Sequence, residues 1–194
     1  RVQEMTVPNY TTTYPDNNTV TNTYVIPKTS YKAIKTWAGG PETDHTGVFV
    51  NLYRKTDQMA EPEHILLPPG LFVRDDSKAP EEFTYNWTVL DATDINGNPY
   101  TYFAREAGVS AEGYVTINGS LYQVEHVDSN NGKETGITNT YVVPKIDVHA
   151  TKTWVNGPEA NYHQIQLTLW RQLEGMEPEK IHQMPDEVTI PVAE

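Results

Sequence analysis

A lysine, a glutamate and an asparagine each stand in line with apolar residues on segments that alternate like β-strands. Because strand side chains point alternately to two faces, Lys35 shares a face with Trp37 in the segment YKAIKTW. By the same parity, Glu106 lies on the face of Tyr102 in YFARE, and Asn139 lies in line with aliphatic and aromatic residues of GITNTYVV. A charged or amide group on such a face is costly to bury unless its neighbours compensate.

Burial of three such groups together favours one covalent reaction. Desolvation raises the pKa of a carboxyl group and lowers that of an amine, so a buried glutamate and lysine can exist as carboxylic acid and neutral amine. The neutral amine is a nucleophile, and the side-chain carbonyl of the asparagine is the electrophile within reach. The acid would hydrogen-bond that carbonyl and move protons to the departing ammonia. The expected product is a lysine–asparagine amide across a β-sandwich, formed once and without turnover, so we do not expect an enzyme.

The segments that carry these residues occur twice in the chain. TNTYVIPK, which ends at residue 28, returns as TNTYVVPK ending at residue 145, and KTWAGGPE from residue 35 returns as KTWVNGPE from residue 152. Internal similarity of this kind predicts repeated structural units. We therefore expect the C-terminal part of one repeat at 1–28, a complete repeat at 29–144, and the N-terminal part of a further repeat at 145–194.

The composition predicts that each repeat is built from β-strands. Tyrosine is abundant, with 12 residues, and 14 prolines and 12 glycines interrupt short apolar runs, as in all-β proteins. Asn-Gly pairs in INGNP (95–99) and INGS (117–120) indicate turns, and the second predicts a tight hairpin. We expect an all-β fold, an antiparallel sandwich of about seven strands.

The order of the three motifs resembles a known family. A first strand with Lys-x-Trp, a late strand Tyr-x-x-x-Glu and a last strand Ile/Val-Thr-Asn-x-Tyr resemble the B-type repeat domains of Gram-positive collagen adhesins and pilins, the CnaB family. The resemblance implies an immunoglobulin-like sandwich of reversed topology, repeated in tandem, with an intramolecular isopeptide bond. It further implies that Lys35 is the nucleophile, Asn139 the acceptor and Glu106 the catalytic acid.

Residues of the two partial repeats match the same roles. Glu4 and Asn22 correspond to the acid and the acceptor, and Lys152 corresponds to the nucleophile. The partial repeats could complement each other between molecules, with Lys152 of one copy bonded to Asn22 of the next in an open head-to-tail assembly. The alternative is that they belong to a longer chain whose neighbouring repeats complete them.

Charge and residue types exclude several other classes of function. The formal net charge of −12 argues against binding nucleic acid through its phosphates, and no apolar run is long enough to span a membrane. The absence of cysteine removes thiolate chemistry and disulfides. The six histidines show no metal-ligand spacing, and Glu42, Asp44 and His45 are expected in a solvated loop. We expect no metal and no cofactor.

These observations predict a structural protein: the repeat region, or stalk, of an adhesin on the surface of a Gram-positive bacterium. Its wall anchor and its ligand-binding head would lie outside this sequence, and its partners would be neighbouring repeats. One alternative is a module that binds a host protein or glycan through loops such as 39–47 or 68–80, which an exposed aromatic or apolar patch on one sheet would favour. Another is an accessory domain of a secreted hydrolase.

Overall fold

The computed structural model describes residues 3–66, 70–129, 132–158, 160, 165–181 and 187–190. The chain divides into two compact units, Arg1–Pro144 and Lys145–Glu194. Regular structure in the described ranges is β-strand, apart from short 3-10 turns such as Glu42–Asp44. The all-β class predicted from the composition is therefore confirmed. No helix within these ranges is long and apolar enough to cross a membrane.

The described part of the first unit contains eleven strands in three sheets. The strands are β1 (Tyr10–Thr13), β2 (Thr21–Tyr24), β3 (Lys28–Ala38), β4 (Val50–Lys55), β5 (Glu63–Ile65), β6 (Phe72–Lys78), β7 (Glu82–Asp91), β8 (Thr101–Glu106), β9 (Tyr114–Ile117), β10 (Ser120–Asp128) and β11 (Glu134–Tyr141). β1 and β2 form a separate antiparallel pair. The other nine form a six-stranded sheet in the order β6-β7-β3-β11-β10-β9 and a three-stranded sheet in the order β5-β4-β8.

One strand pair departs from the antiparallel arrangement that we expected. β3 and β11 lie side by side and run parallel, whereas every other pair in these two sheets is antiparallel. Parallel neighbours need a long connection between them, and here that connection includes β4 to β10. The first and last strands of the predicted repeat are thus direct neighbours in the middle of the larger sheet.

The two sheets face each other across one hydrophobic core, which makes the unit a β-sandwich. Inward residues of β3 and β7, such as Tyr31 and Trp87, pack in one cluster with Leu52 of β4 and Tyr102 of β8. The buried members of this cluster are Tyr31, Ala33, Leu52, Phe83, Tyr85, Trp87, Leu90, Tyr102, Ala104, Val124 and Ile137. Buried and less buried positions alternate along β3, β8 and β11, as the period of two in the sequence predicted.

The turn predicted at 117–120 is confirmed, and one predicted loop is wrong. Asn118 and Gly119 both have positive φ, 50° and 90°, and they join β9 to β10 as a tight hairpin. The stretch 68–80, expected as a binding loop, contains strand β6, although residues 68 and 69 lie outside the described ranges. The reason is that β6 is an edge strand exposed along its whole length, so its sequence shows no apolar alternation.

The second unit is described over fewer residues and carries two small sheets. β12 (Ile165–Thr168) pairs with β15 (Glu187–Ile190), and β13 (Trp170–Arg171) pairs with β14 (Glu179–Lys180). Both pairs are antiparallel. The division of the chain into a complete repeat and two partial repeats stays a prediction.

Candidate crosslinking site

Three buried polar residues meet between the two sheets of the first unit. Lys35 and Asn139 are 0% exposed, and Glu106 is 5% exposed. Lys35 lies on β3 and Asn139 on the adjacent β11, where the register pairs Ile137 with Lys35 and Asn139 with Trp37. The lysine and the asparagine are therefore diagonal neighbours on the inner face of one sheet.

Glu106 reaches the same place from the facing sheet. It is the last residue of β8, and its carboxylate Oε1 accepts a hydrogen bond of 3.0 Å from Nδ2 of Asn139. This bond is between side chains of opposite sheets, so it fixes the amide of Asn139 relative to the carboxyl group. The expected hydrogen bond from the acid to the carbonyl of Asn139 is not the one observed: Glu106 contacts Nδ2, the nitrogen that would leave as ammonia, and Oδ1 has no partner among the described residues.

Our expectation that the bond would cross the sandwich is wrong. Lys35 and Asn139 belong to neighbouring strands of the same sheet, and only Glu106 comes from the other sheet. The alternation of side chains along a strand assigns each one to a face of the sheet, but it does not specify which strands become neighbours. A bond between the two side chains would therefore link adjacent parallel strands.

The amino group of Lys35 lies in an aromatic environment. Its Nζ donates a hydrogen bond of 2.7 Å to the backbone oxygen of Thr36 and lies 3.6 Å from the centroid of the Trp37 ring. The ring of His45 stacks on Trp37 with centroids 5.2 Å apart. These contacts hold the lysine side chain inside the sandwich, close to its own strand.

Burial shifts both ionisable groups of the site toward their neutral forms. Desolvation lowers the pKa of Lys35 to about 7, although the nearby Glu106 carboxylate opposes the shift. Desolvation also raises the pKa of Glu106, against the hydrogen bond from Asn139 and the charge of Lys35. Both shifts favour an unprotonated amine beside a carboxylic acid over the charged pair, and the neutral pairing is the one that nucleophilic attack on an amide requires.

Unsatisfied polar atoms also concentrate at this place. Across the described part of the chain, three buried side-chain atoms lack a hydrogen-bond partner: Nε1 of Trp37, Oε2 of Glu106 and Oδ1 of Asn139. Buried polar groups without partners are rare and call for an explanation such as a catalytic role. Two of the three are the second carboxyl oxygen of Glu106 and the carbonyl oxygen of Asn139, which would gain negative charge during attack.

The corresponding residues of the predicted partial repeats show similar local contacts on exposed side chains. Nδ2 of Asn22 donates to both carboxylate oxygens of Glu4, at 3.2 and 2.9 Å. Nζ of Lys152 donates 2.7 Å to the backbone oxygen of Thr153 and lies 4.1 Å from the ring centroid of Trp154. Glu4, Asn22 and Lys152 are all exposed, whereas Lys35, Glu106 and Asn139 are buried between two facing sheets.

Sequence reasoning missed three polar residues that support the site. Asp44, expected in a solvated loop, is 2% exposed and accepts hydrogen bonds from Tyr122 and Asn118. Thr135 is buried, and His126 contacts the backbone of Glu106. Parity along β10 and β11 places His126 and Thr135 on the inner face, whereas no pattern in the sequence signals Asp44.

Within the described ranges, no group of three or more histidine, aspartate or glutamate side chains could hold a metal ion.

No protein-family profile matches this chain, and no characterised protein sequence does. Among solved structures, the chain is similar to a pilus adhesin, SpaC from Lactobacillus rhamnosus GG, with 11% identity over 91% of this chain and a TM-score of 0.33. The open conformation of that adhesin gives 10% identity over 91% and a TM-score of 0.31. This chain spans 21% of the length of the adhesin chain.

Proposed function

We propose that this chain belongs to the structural stalk of a bacterial cell-surface adhesin, and that an isopeptide bond between Lys35 and Asn139 stiffens its complete repeat. The observation that supports the proposal is the burial of Lys35, Glu106 and Asn139 together, with the acid hydrogen-bonded to the amide. The resemblance of the sequence motifs to CnaB repeats points to the same bond. The protein would act outside the cell, anchored to the wall of a Gram-positive bacterium by a region beyond this sequence.

The reaction needs only the groups already in the site. The unprotonated Nζ of Lys35 attacks Cγ of Asn139, and the electron pair of the carbonyl bond moves to Oδ1. Glu106, protonated at the start, gives its proton to Nδ2, and the resulting carboxylate takes a proton from the attacking nitrogen. The carbonyl bond then re-forms, the Cγ–Nδ2 bond breaks, and ammonia leaves. One Nζ–Cγ bond has formed, and Glu106 has returned to its initial protonation state.

The position of the bond suits a chain under tension. Because β3 and β11 are parallel neighbours, pulling on the start of β3 and the end of β11 shears the two strands past each other. A covalent link between Lys35 and Asn139 would carry that force directly from one strand to the other. It would also close a loop of about a hundred residues, which the chain-entropy model values at roughly 4 to 5 kcal/mol.

Intact-mass spectrometry of the purified chain tests the proposal. We expect the wild-type chain to be lighter than its sequence by one ammonia, and the Lys35→Ala and Asn139→Ala chains to show their full calculated masses. Lys32→Ala, on the outer face of the same strand, is the matched control and should still lose ammonia. A wild-type chain of full mass after complete folding would contradict the proposed crosslink.

A second function, ligand binding, is favoured by one observation on the outer face of the three-stranded sheet. The rings of His64 and Tyr53 lie 5.1 Å apart, and those of Tyr53 and Phe103 are stacked with centroids 5.5 Å apart. The guanidinium of Arg105 lies 4.8 Å from the centroid of the Phe103 ring. Such a row of rings suits stacking against a glycan or a host protein surface.

Substitution of this aromatic row separates the two functions. If the repeat binds a ligand, a Tyr53→Ala, Phe103→Ala double variant should lose binding to an array of glycans and matrix proteins while it still loses ammonia. Lys35→Ala should show the reverse result. No binding by the wild-type chain would leave the stalk as the function of the repeat.

A further inference from the structure

The edge of strand β8 is tied to the larger sheet by side chains. β8 is the outermost strand of its sheet, and two of its backbone N–H groups donate away from that sheet. The N–H of Glu106 donates 3.0 Å to Nε2 of His126 on β10, and the N–H of Ala104 donates 3.0 Å to Oγ1 of Thr135 on β11. These two bonds set where the end of β8 lies relative to the sheet that carries Lys35 and Asn139.

We propose that His126, in its neutral form, is a positioning residue that holds Glu106 against Asn139 for the crosslinking reaction. The inference rests on the proposed function, because it assigns a role within the same reaction. Glu106 is the last residue of β8, and the N–H of the next residue, Ala107, donates 2.8 Å to the backbone oxygen of Phe49, which ties this end of β8 to its own sheet. The bond to His126 adds the restraint toward the facing sheet, at the residue whose carboxyl group must meet the leaving nitrogen.

The hydrogen bond also determines the protonation state of the imidazole. Nε2 must keep its lone pair to accept from the N–H of Glu106, so the ring proton belongs on Nδ1. An imidazolium ion has two N–H donors and no acceptor. Protonation of His126 would therefore break the bond, leave the N–H of Glu106 without its partner, and add a positive charge near Lys35.

The groups around His126 favour its neutral form. Burial lowers the pKa of His126, and the positive charges of Arg105 on β8 and Lys35 on β3 act in the same direction. Asp128, on the same strand as His126, opposes them, but its carboxylate is engaged by Arg105 at 2.6 and 2.8 Å. β11, packed beside β10, contributes the neutral Ile137 opposite His126.

Two protonations then limit the reaction in acid. The rate requires an unprotonated Lys35 and is fastest with an unprotonated His126. Below both pKa values, the wild-type rate should fall by roughly 100-fold per pH unit, about tenfold from each group, until the 10- to 100-fold contribution of His126 is lost. His126→Gln, which keeps a side-chain acceptor but cannot take up a proton, should fall by only about tenfold per pH unit and should match the wild-type rate at neutral pH.

The rates can be measured by refolding the full chain. Uncrosslinked chain, recovered unfolded in denaturant, is diluted into buffers from acid to neutral pH, and ammonia loss is followed by intact mass after quenching. His126→Ala, which removes the acceptor, should slow the reaction by roughly 10- to 100-fold at neutral pH. His149→Gln, at an exposed histidine of the second unit, is the matched control and should keep both the wild-type rate and its pH dependence.

A second measurement tests the hydrogen bond between Glu106 and His126 independently of the crosslinking reaction. In the crosslink-free Lys35→Ala chain, the Glu106 amide should be protected from hydrogen exchange at neutral pH and should lose that protection as His126 titrates. His126→Gln in the same background should keep it in acid.

The outcomes distinguish the two proposals. If His126→Ala loses ammonia at the wild-type rate, the role of His126 is overturned but the crosslink is not. The same holds if the rate of His126→Gln falls as steeply in acid as that of the wild type. The role of His126 is also overturned if the hydrogen-exchange protection of the Glu106 amide does not change as His126 titrates. A wild-type chain that folds and never loses ammonia overturns the crosslink and this inference together.

Discussion

At Lys35, burial and a neighbouring carboxyl group act on the same pKa in opposite directions, and burial prevails. The ordinary value of 10.5 falls to about 7. A shift of this size raises the neutral fraction of the amine at neutral pH by roughly a thousandfold relative to the unfolded chain. Folding thus creates the nucleophile, which explains why the reaction would occur only in the folded protein.

The proposed reaction also depends on the carboxyl group of Glu106. Glu106→Gln keeps the size of the side chain and an oxygen that can accept from Asn139, but it cannot transfer protons. We expect this variant to fold and to retain its full mass, with Lys35 and Asn139 unreacted. Intact mass and circular dichroism measure the two properties, and Glu82→Gln, at a partly exposed glutamate of β7, serves as control. Complete ammonia loss by Glu106→Gln would show that the proton takes another route.

Among the structural elements, the loop at 39–47 is held down by a buried carboxylate. Hydrogen bonds from Ser120, Tyr122 and Asn118 lower the pKa of Asp44, and together they attach the loop to the β9–β10 hairpin. The same loop carries His45, whose ring covers Trp37. The loop therefore closes the end of the sandwich at which Lys35 is buried.

Gly40 is the position where this closure is most sensitive to substitution. Its φ is +89°, and an added Cβ would lie 2.3 Å from the hydroxyl oxygen of Tyr122. Gly40→Ala should displace that ring, weaken the bond to Asp44 and lower the free energy of unfolding by about 2 to 4 kcal/mol. Gly119→Ala is the matched control, because its φ is +90° but nothing lies within 4 Å, so we expect only about 1 kcal/mol from backbone strain. Urea unfolding measures both, and equal losses would contradict the clash.

For the whole molecule, the stability of the fold should fall in two stages on acidification. The folded pKa of His126 lies below the ordinary 6.5, so the unfolded chain takes up this proton first and stability declines as the pH drops from 6.5 through the folded value. The folded pKa values of Asp91 and Asp128, lowered mainly by Lys28 and Arg105, lie below 3.8. Their contribution is complete above 3.8 and is lost as the pH falls through the folded values.

Urea midpoints measured across the acid range test the two stages. His126→Gln should remove the first stage and leave the second. Glu106 titrates in the opposing direction in both chains, so its effect cancels in the difference between their free energies of unfolding. Identical pH profiles for the two chains would contradict the assignment of the first stage to His126.

Association between molecules is the other prediction at this scale. The exposed pair Glu4 and Asn22 and the exposed Lys152 present the acid, acceptor and amine of the same reaction on separate parts of the chain. If docking of two copies buries them together, a concentrated sample should form a ladder of species that survives boiling in detergent. Lys152→Ala should abolish the ladder and Lys145→Ala should not, and a monomer at all concentrations in sedimentation would count against the association.

The sequence by itself determined the strand character, the Asn118–Gly119 hairpin and the face on which each polar residue lies, because a period of two and an Asn-Gly pair are local properties of the chain. Only the tertiary structure decided that Asn139 lies beside Lys35 in one sheet, that Glu106 approaches from the other, and that His126 and Thr135 bind the edge of β8. Those arrangements depend on which strands pair across about a hundred residues of chain. Such pairing is selected by the packing of the complete core, and no single segment encodes it.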